Sequence, residues 1–387
     1  MATEAPALPV DLLHRPAGEA ARLIALVHLD AAAAAEERLA DPEDGEALHD
    51  LRVALRRLRS TLRAYRPWLG GTAAKKLRRR ARDLGRSTSA ARDAEVQLAW
   101  LRAQDTALAP REHAGLRWLE ARVAARRDAA YDRLTRRLPR ALAKLEQRLR
   151  RRLAVYRVKV RVGDDAAVPL FGAVTAGALR TLAGELQQAL QGVADAADAA
   201  GQHAARIATK RVRYLLEPLT ARLQGGRALV RELQQLQDVL GELHDAHVLA
   251  GELAAAVAEA AAARARYLYE RAVDGQGPGR RRPPELRLSP RAGLLALARR
   301  LRAERDRLFE RYTVAWLPRM SELAAQLERA AIGLERALPR GPTGSASRSG
   351  TGRRARRRSR RRWSRRPPAP TQTPVAPPTA TSASPLP

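Results

Sequence analysis

The sequence predicts an all-α protein made of two tandem helical units, and three observations carry that prediction. From Gly18 to about Pro339, Leu, Ala, Arg and Glu dominate, and all four are strong helix formers. Aromatic residues make up only 4% of the chain, so a core has to be built from leucine, alanine and valine. A histidine with a fixed train of cations behind it occurs twice, which marks an internal duplication.

Residues 1–17 contain three prolines and read as a loose N-terminal arm. The first motif helix is expected to start at Asp41 as N-cap, with Pro42 in the first turn and Glu43 and Asp44 behind it. It should stop at Arg66-Pro67, because a proline disfavours helix at the residue before it. Leu51, Leu55, Leu58 and Leu62 fall between about 180° and 240° on this helix, a stripe suited to burial. The second motif helix should end at Glu217-Pro218, ahead of a turn at Gly225-Gly226. Val155 to Val162 (VYRVKVRV) alternates in strand period and reads as a basic connector between the units.

The duplication extends past the motif. Leu84-Gly85 with Arg92-Asp93 pairs with Leu240-Gly241 and His244-Asp245. Ala114-Gly115-Leu116 pairs with Ala292-Gly293-Leu294, and Tyr131 with Phe309. The offset grows from 154 at the histidines to 178 here, and a Gly- and Pro-rich loop near 274–290 accounts for the extra length. The units are placed at about 18–155 and 166–338, within one region 18–338. Residues 339–387, rich in Pro, Ser, Thr and Gly and carrying twelve arginines, are expected to be a disordered basic tail.

The chain carries a net charge of +31, from 72 Lys and Arg against 41 Asp and Glu. Without the tail's twelve arginines, residues 1–339 still hold +19. An excess of this size points to polyanions: nucleic acid, a membrane surface or polyphosphate. The absence of cysteine excludes disulfides, thiolate metal sites and a cysteine nucleophile. Met1 to Asp11 lacks the basic start of a signal peptide, and no run approaches about 18 uninterrupted apolar residues. A cytoplasmic protein without membrane insertion is therefore expected.

The motifs supply the candidate site. Behind His49, cations stand at Arg52, Arg56, Arg57 and Arg59; behind His203, at Arg206, Lys210, Arg211 and Arg213. The positions three, seven and ten residues after each histidine lie within about 80° of it on a helix. Arg63 prolongs the first stripe, whereas Glu217 takes that place in the second. Arg57 and Arg211 lie off the stripes as secondary cations. A solvated face would more naturally mix in acids, so recurrence of the pattern favours a binding surface over an ordinary exposed one. His49 and His203 admit three readings: phosphate donor, structural histidine, or metal ligand, the last disfavoured by the neighbouring arginines. Asp93 and Asp245 read as helix caps or arginine partners ahead of catalytic carboxylates.

The His-x-x-Arg-x-x-x-Arg-Arg-x-Arg run, its partner continuing into KRVRYLLE, and the turns that follow resemble the CHAD family of histidine-bearing α-helical domains over roughly 18–320. The resemblance implies two pseudo-symmetric helical bundles with a basic groove or pore between them. It also implies binding of inorganic polyphosphate and association with polyphosphate granules. Carried over to this chain, the ligand face is His49, Arg52, Arg56, Arg59 and Arg63, opposite His203, Arg206, Lys210 and Arg213. No Glu-x-Glu-x-Lys run of the triphosphatase domain carried by some family members is present. The reading is thus a polyphosphate binder without enzymatic activity, cofactor or metal. The alternatives are a nucleic-acid-binding protein using the tail, and an accessory of an enzyme that processes phosphate chains.

Overall fold

The computed structural model describes residues 8–41, 44–154, 168–273 and 289–336. Among these the chain is helical, with no strand. The first half comprises α1 (Ala17–Arg38), α2 (Ala47–Ala64), α3 (Thr72–Ser87), α4 (Ser89–Arg102) and α5 (His113–Ala154). The second comprises α6 (Phe171–Gln191), α7 (Ala199–Leu216), α8 (Gly226–Val273), α9 (Arg291–Trp316) and α10 (Met320–Arg336).

The motif helices are α2 and α7. Leu51, Leu55, Leu58 and Leu62 are buried, as the stripe predicts, at roughly 2 kcal/mol apiece for a fully buried leucine. They join one large core with leucines of α1, α5, α6, α7 and α8. A smaller core gathers Leu98 and Leu101 of α4, Leu116 and Leu119 of α5, Leu249 and Leu253 of α8, and Leu294 and Leu297 of α9. Both cores draw on both halves, so the described residues form one compact unit rather than two domains.

The duplication appears in space as repeat mates in contact. Pro16 and Leu170 pair, with Ala17 N–H donating to Pro169 O (3.0 Å) and Phe171 N–H to Arg15 O (2.8 Å). Gly115 and Gly293 touch elsewhere: a Cβ on Gly115 would come within 2.7 Å of Gly293 Cα. Only glycine allows these backbones so close.

Several expectations need correction. Residues 8–17 are not loose: Leu12 and Leu13 are buried, and the carbonyls of Leu8 and Pro9 accept hydrogen bonds from Arg222. The first motif helix starts at Ala47, not near Asp41, because Asp44 turns its carboxylate to the Glu46 and Ala47 N–H groups. The second motif helix ends at Leu216, as expected, and Gly225 takes φ +70° before α8. The Val155–Val162 connector, most of the 274–290 loop and the 339–387 tail lie outside the described residues. By length and composition α8 contains a window apolar enough to cross a membrane, of mean hydropathy 1.3, and 22% of that window is buried.

Candidate functional site

α2, α3 and α7 surround a cavity of about 620 Å³. α2 contributes Arg56, Arg59 and Arg63; α3 contributes Lys75, Lys76, Arg78, Arg79 and Arg82; α7 contributes Lys210 and Arg211. Ser60, Thr72, Ile207 and Tyr214 complete the lining, which contains no acidic residue. The five cations of α3 were not singled out from sequence. Their signal is a face free of acids at Lys75, Arg78, Arg79 and Arg82, which share one side of the helix. In an arginine-rich chain that signal is easily lost.

The inner end of this basin is an electrostatic cluster fed by both halves. Lys210 lies under the influence of Arg206, Arg56 and Asp245. Burial, then the positive charge of Arg206 and Arg56, pushes its ammonium down to about 6. This shift favours the neutral amine in the free protein and so relieves repulsion among the cations. Arg52 and Arg206, repeat mates, are both drawn toward Asp93 and Asp245. Burial and mutual repulsion raise the two carboxyls above their usual range, while Arg52, Arg206 and Arg92 pull them back down. Asp93 remains exposed to solvent, whereas Asp245 is half-buried. Asp93 lies inside α4 and Asp245 inside α8, so neither caps a helix.

The histidines lie beside the arginines of this cluster, outside the cavity lining. His203 Nδ1 is 3.4 Å from His244 Nδ1, so at most one of the pair donates and the other accepts. Burial, with Arg206 and His203 nearby, lowers His244 to about 4. His203 and His49 are also lowered, first by burial and then by neighbouring arginines. His244, seen in the sequence only as part of the repeat, belongs to this cluster; His247 instead meets Gln202 Oε1 at 3.2 Å. Among the described residues, no group of three or more His, Asp or Glu side chains is placed to hold a metal ion.

Three arginines of the motifs are held in ion pairs. Arg213 is 9% exposed and pairs with Glu217 (Nη1 to Oε1, 2.8 Å), while its Nε donates to Gln237 Oε1 (3.0 Å). It is turned into the protein and, like His49, Arg52, His203 and Arg206 of the predicted ligand face, is not among the residues that line the cavity, whereas Arg56, Arg59, Arg63 and Lys210 of that face are. Glu217 also accepts from Arg57 Nε of the other half (2.6 Å). Arg211 pairs with Glu185 at 2.8 Å while still lining the cavity.

Contacts of the arginines reset the repeat register as well. Arg59 approaches Gly85, while its mate Arg213 meets Gln237. Arg52 donates to Thr88 Oγ1 (2.8 Å) and Ser89 Oγ (3.3 Å), while its mate Arg206 packs on Gly241. Gly85 therefore corresponds to Gln237, and Ser89 to Gly241. The sequence pairing of Leu84-Gly85 with Leu240-Gly241 is one helical turn out of step, and Leu240-Gly241 lies within unbroken α8. Gly241 leaves Arg206 Nε buried without a hydrogen-bond partner.

A family model described as the CHAD domain matches residues 24–254. This chain belongs to the CHAD family. A crystal structure of the CHAD domain from the plant Ricinus communis is similar, at 28% identity and a TM-score of 0.52. The likeness covers 76% of this chain and 96% of that one. No match is found among curated proteins. The CHAD match takes in α2, α3 and α7, and hence every wall of the basin.

Proposed function

We propose that this CHAD protein binds inorganic polyphosphate in the basin between α2, α3 and α7, without catalysing its turnover, and that it does so in the cytoplasm at polyphosphate granules. The observation carrying this reading is ten cationic side chains from three helices around one cavity whose lining has no acid. A linear phosphate chain has no bases to read, so a row of donors suffices. Arginine suits this because its planar fork holds two oxygens at once. Lys210 regains its proton when phosphate arrives, since an adjacent anion favours the ammonium.

The aromatic content of the basin argues against single-stranded nucleic acid as the preferred ligand. Stacking platforms supply much of that affinity, and the one aromatic in the lining, Tyr214, is 4% exposed, with its hydroxyl accepting from Arg56 Nε at 3.3 Å. The test is competition: labelled polyphosphate on the full chain, challenged with duplex DNA and RNA at equal phosphate concentration. Polyphosphate is expected to hold its place. Displacement by either nucleic acid at parity ends the proposal, as does release of phosphate from the chain in the presence of magnesium or manganese.

A further inference from the structure

A second cleft runs along the outer side of α3, between it and α5, with a volume of about 550 Å³. Arg80 of α3 and Arg133, Arg137, Lys144 and Arg148 of α5 line it, against a single acid, Asp83. The four α5 cations fall within about 60° of one another on the helix and rise about 22 Å along it. The acids flanking this stripe, Asp132 and Glu146, point more than about 90° away from its centre. All five cations are exposed, and among the described residues none of them makes an ion pair. Like charges gathered this way repel one another, so stability gives no reason for the arrangement.

Two occupants suit a cationic rim: an acidic amphipathic helix or a bare polyanion. A helix needs apolar area to dock on. The leucines of the floor, Leu134, Leu138 and Leu145, are 3%, 2% and 3% exposed, so they are already spent on the core and offer almost none. The apolar surface the cleft retains comes from the exposed Ala90 and Ala141 and the methylene stems of the cations, too dispersed to seat the apolar face of a helix, and above it stands the charge. α3 is also the wall it shares with the basin: Lys75, Arg78, Arg79 and Arg82 stand on the basin side of that helix, and Lys76 lies at the edge between the two. One helix diameter, about 10 Å, separates the two.

We propose that the α3–α5 cleft is a second binding site for a long linear polyanion, taking the length of chain that overruns the basin. The proposal rests on the ligand class inferred above and adds to it a preference for long chains. The cationic stripe is not repeated at the matching place in the second half: Arg311, the mate of Arg133, is paired with Glu242 at 2.7 Å, and Ala315 stands where Arg137 would be.

The experiment compares tripolyphosphate with long-chain polyphosphate on the full chain carrying Arg133→Ala, Arg137→Ala and Arg148→Ala together. These side chains are exposed, so unfolding should not intervene, and a thermal melt checks it. Long-chain affinity is expected to fall about tenfold, with the slope of log K against log salt shallower by roughly 2 to 3. Tripolyphosphate affinity is expected to stay at the native value. Removing Arg227, Arg307 and Arg329 instead, three exposed cations of the second half, is expected to leave both ligands unaffected. The proposal is overturned if long-chain binding survives the triple change, if both sets of substitutions weaken it equally, or if only an acidic helical peptide loses binding. Failure of tripolyphosphate to bind the native protein would instead remove the basin reading itself.

Discussion

Ten residues after its histidine, the first motif carries Arg59 and the second Arg213, yet the two arginines do opposite things. Arg59 lies against Gly85, where nothing competes for it, and lines the cavity. Arg213 meets Gln237 and Glu217 and is drawn into the protein. Four residues on, the first half has the exposed Arg63 and the second the half-buried Glu217, which bonds an arginine from each half. Duplication supplied one skeleton twice; replacements at a few facing positions then made one copy the open wall of a basin and the other a brace. The brace also explains how so many uncompensated cations are tolerated: the halves are locked beside them by Glu217, and Lys210 sheds its charge between them.

The largest effect expected from breaking this contrast is at the brace. Glu217→Gln leaves Arg213 without its carboxylate in a buried setting and should cost about 3 kcal/mol, read by urea unfolding. Arg63→Ala, at the equivalent place in the first half, should change stability by less than about 0.5 kcal/mol because its side chain is exposed. Equal losses would mean the halves are braced alike.

A smaller effect concerns pH. Burial and the neighbouring cations hold Lys210 at about 6, and an adjacent phosphate would raise it, so binding is expected to take up a proton. Affinity should be highest at and below about pH 6, where the free protein already carries the ammonium, and should decline as pH rises above that value. Lys210→Arg keeps its charge throughout and should flatten the decline. Calorimetry in buffers of different ionisation enthalpy measures the proton uptake directly; its absence would show that Lys210 does not meet the ligand.

Much of the architecture was legible because it is local. The leucine face of α2, the end of α7 at Glu217-Pro218 and the duplicated Ala-Gly-Leu segments follow from spacing within one helix. The direction of Arg213 was not legible, since Gln237 and Glu217 decide it and Gln237 sits on another helix. The repeat register failed for a related reason: Leu-Gly recurs by composition, and only the arginine contacts reveal the one-turn shift. Asp93 and Asp245 looked like caps because a glycine-marked turn was expected, but α8 runs through unbroken and turns Asp245 toward Arg206. α2 starts later than expected because Asp44 accepts from the Glu46 and Ala47 N–H groups and turns the chain there.

The measurement that bears most directly on the account is titration of tripolyphosphate into the native protein, Arg59→Ala and Arg213→Ala, each at a temperature where it is folded. The account predicts about a tenfold loss of affinity for Arg59→Ala, the size of one lost charge-assisted contact, and native affinity for Arg213→Ala. Native affinity in Arg59→Ala, or equal losses in both, would contradict it.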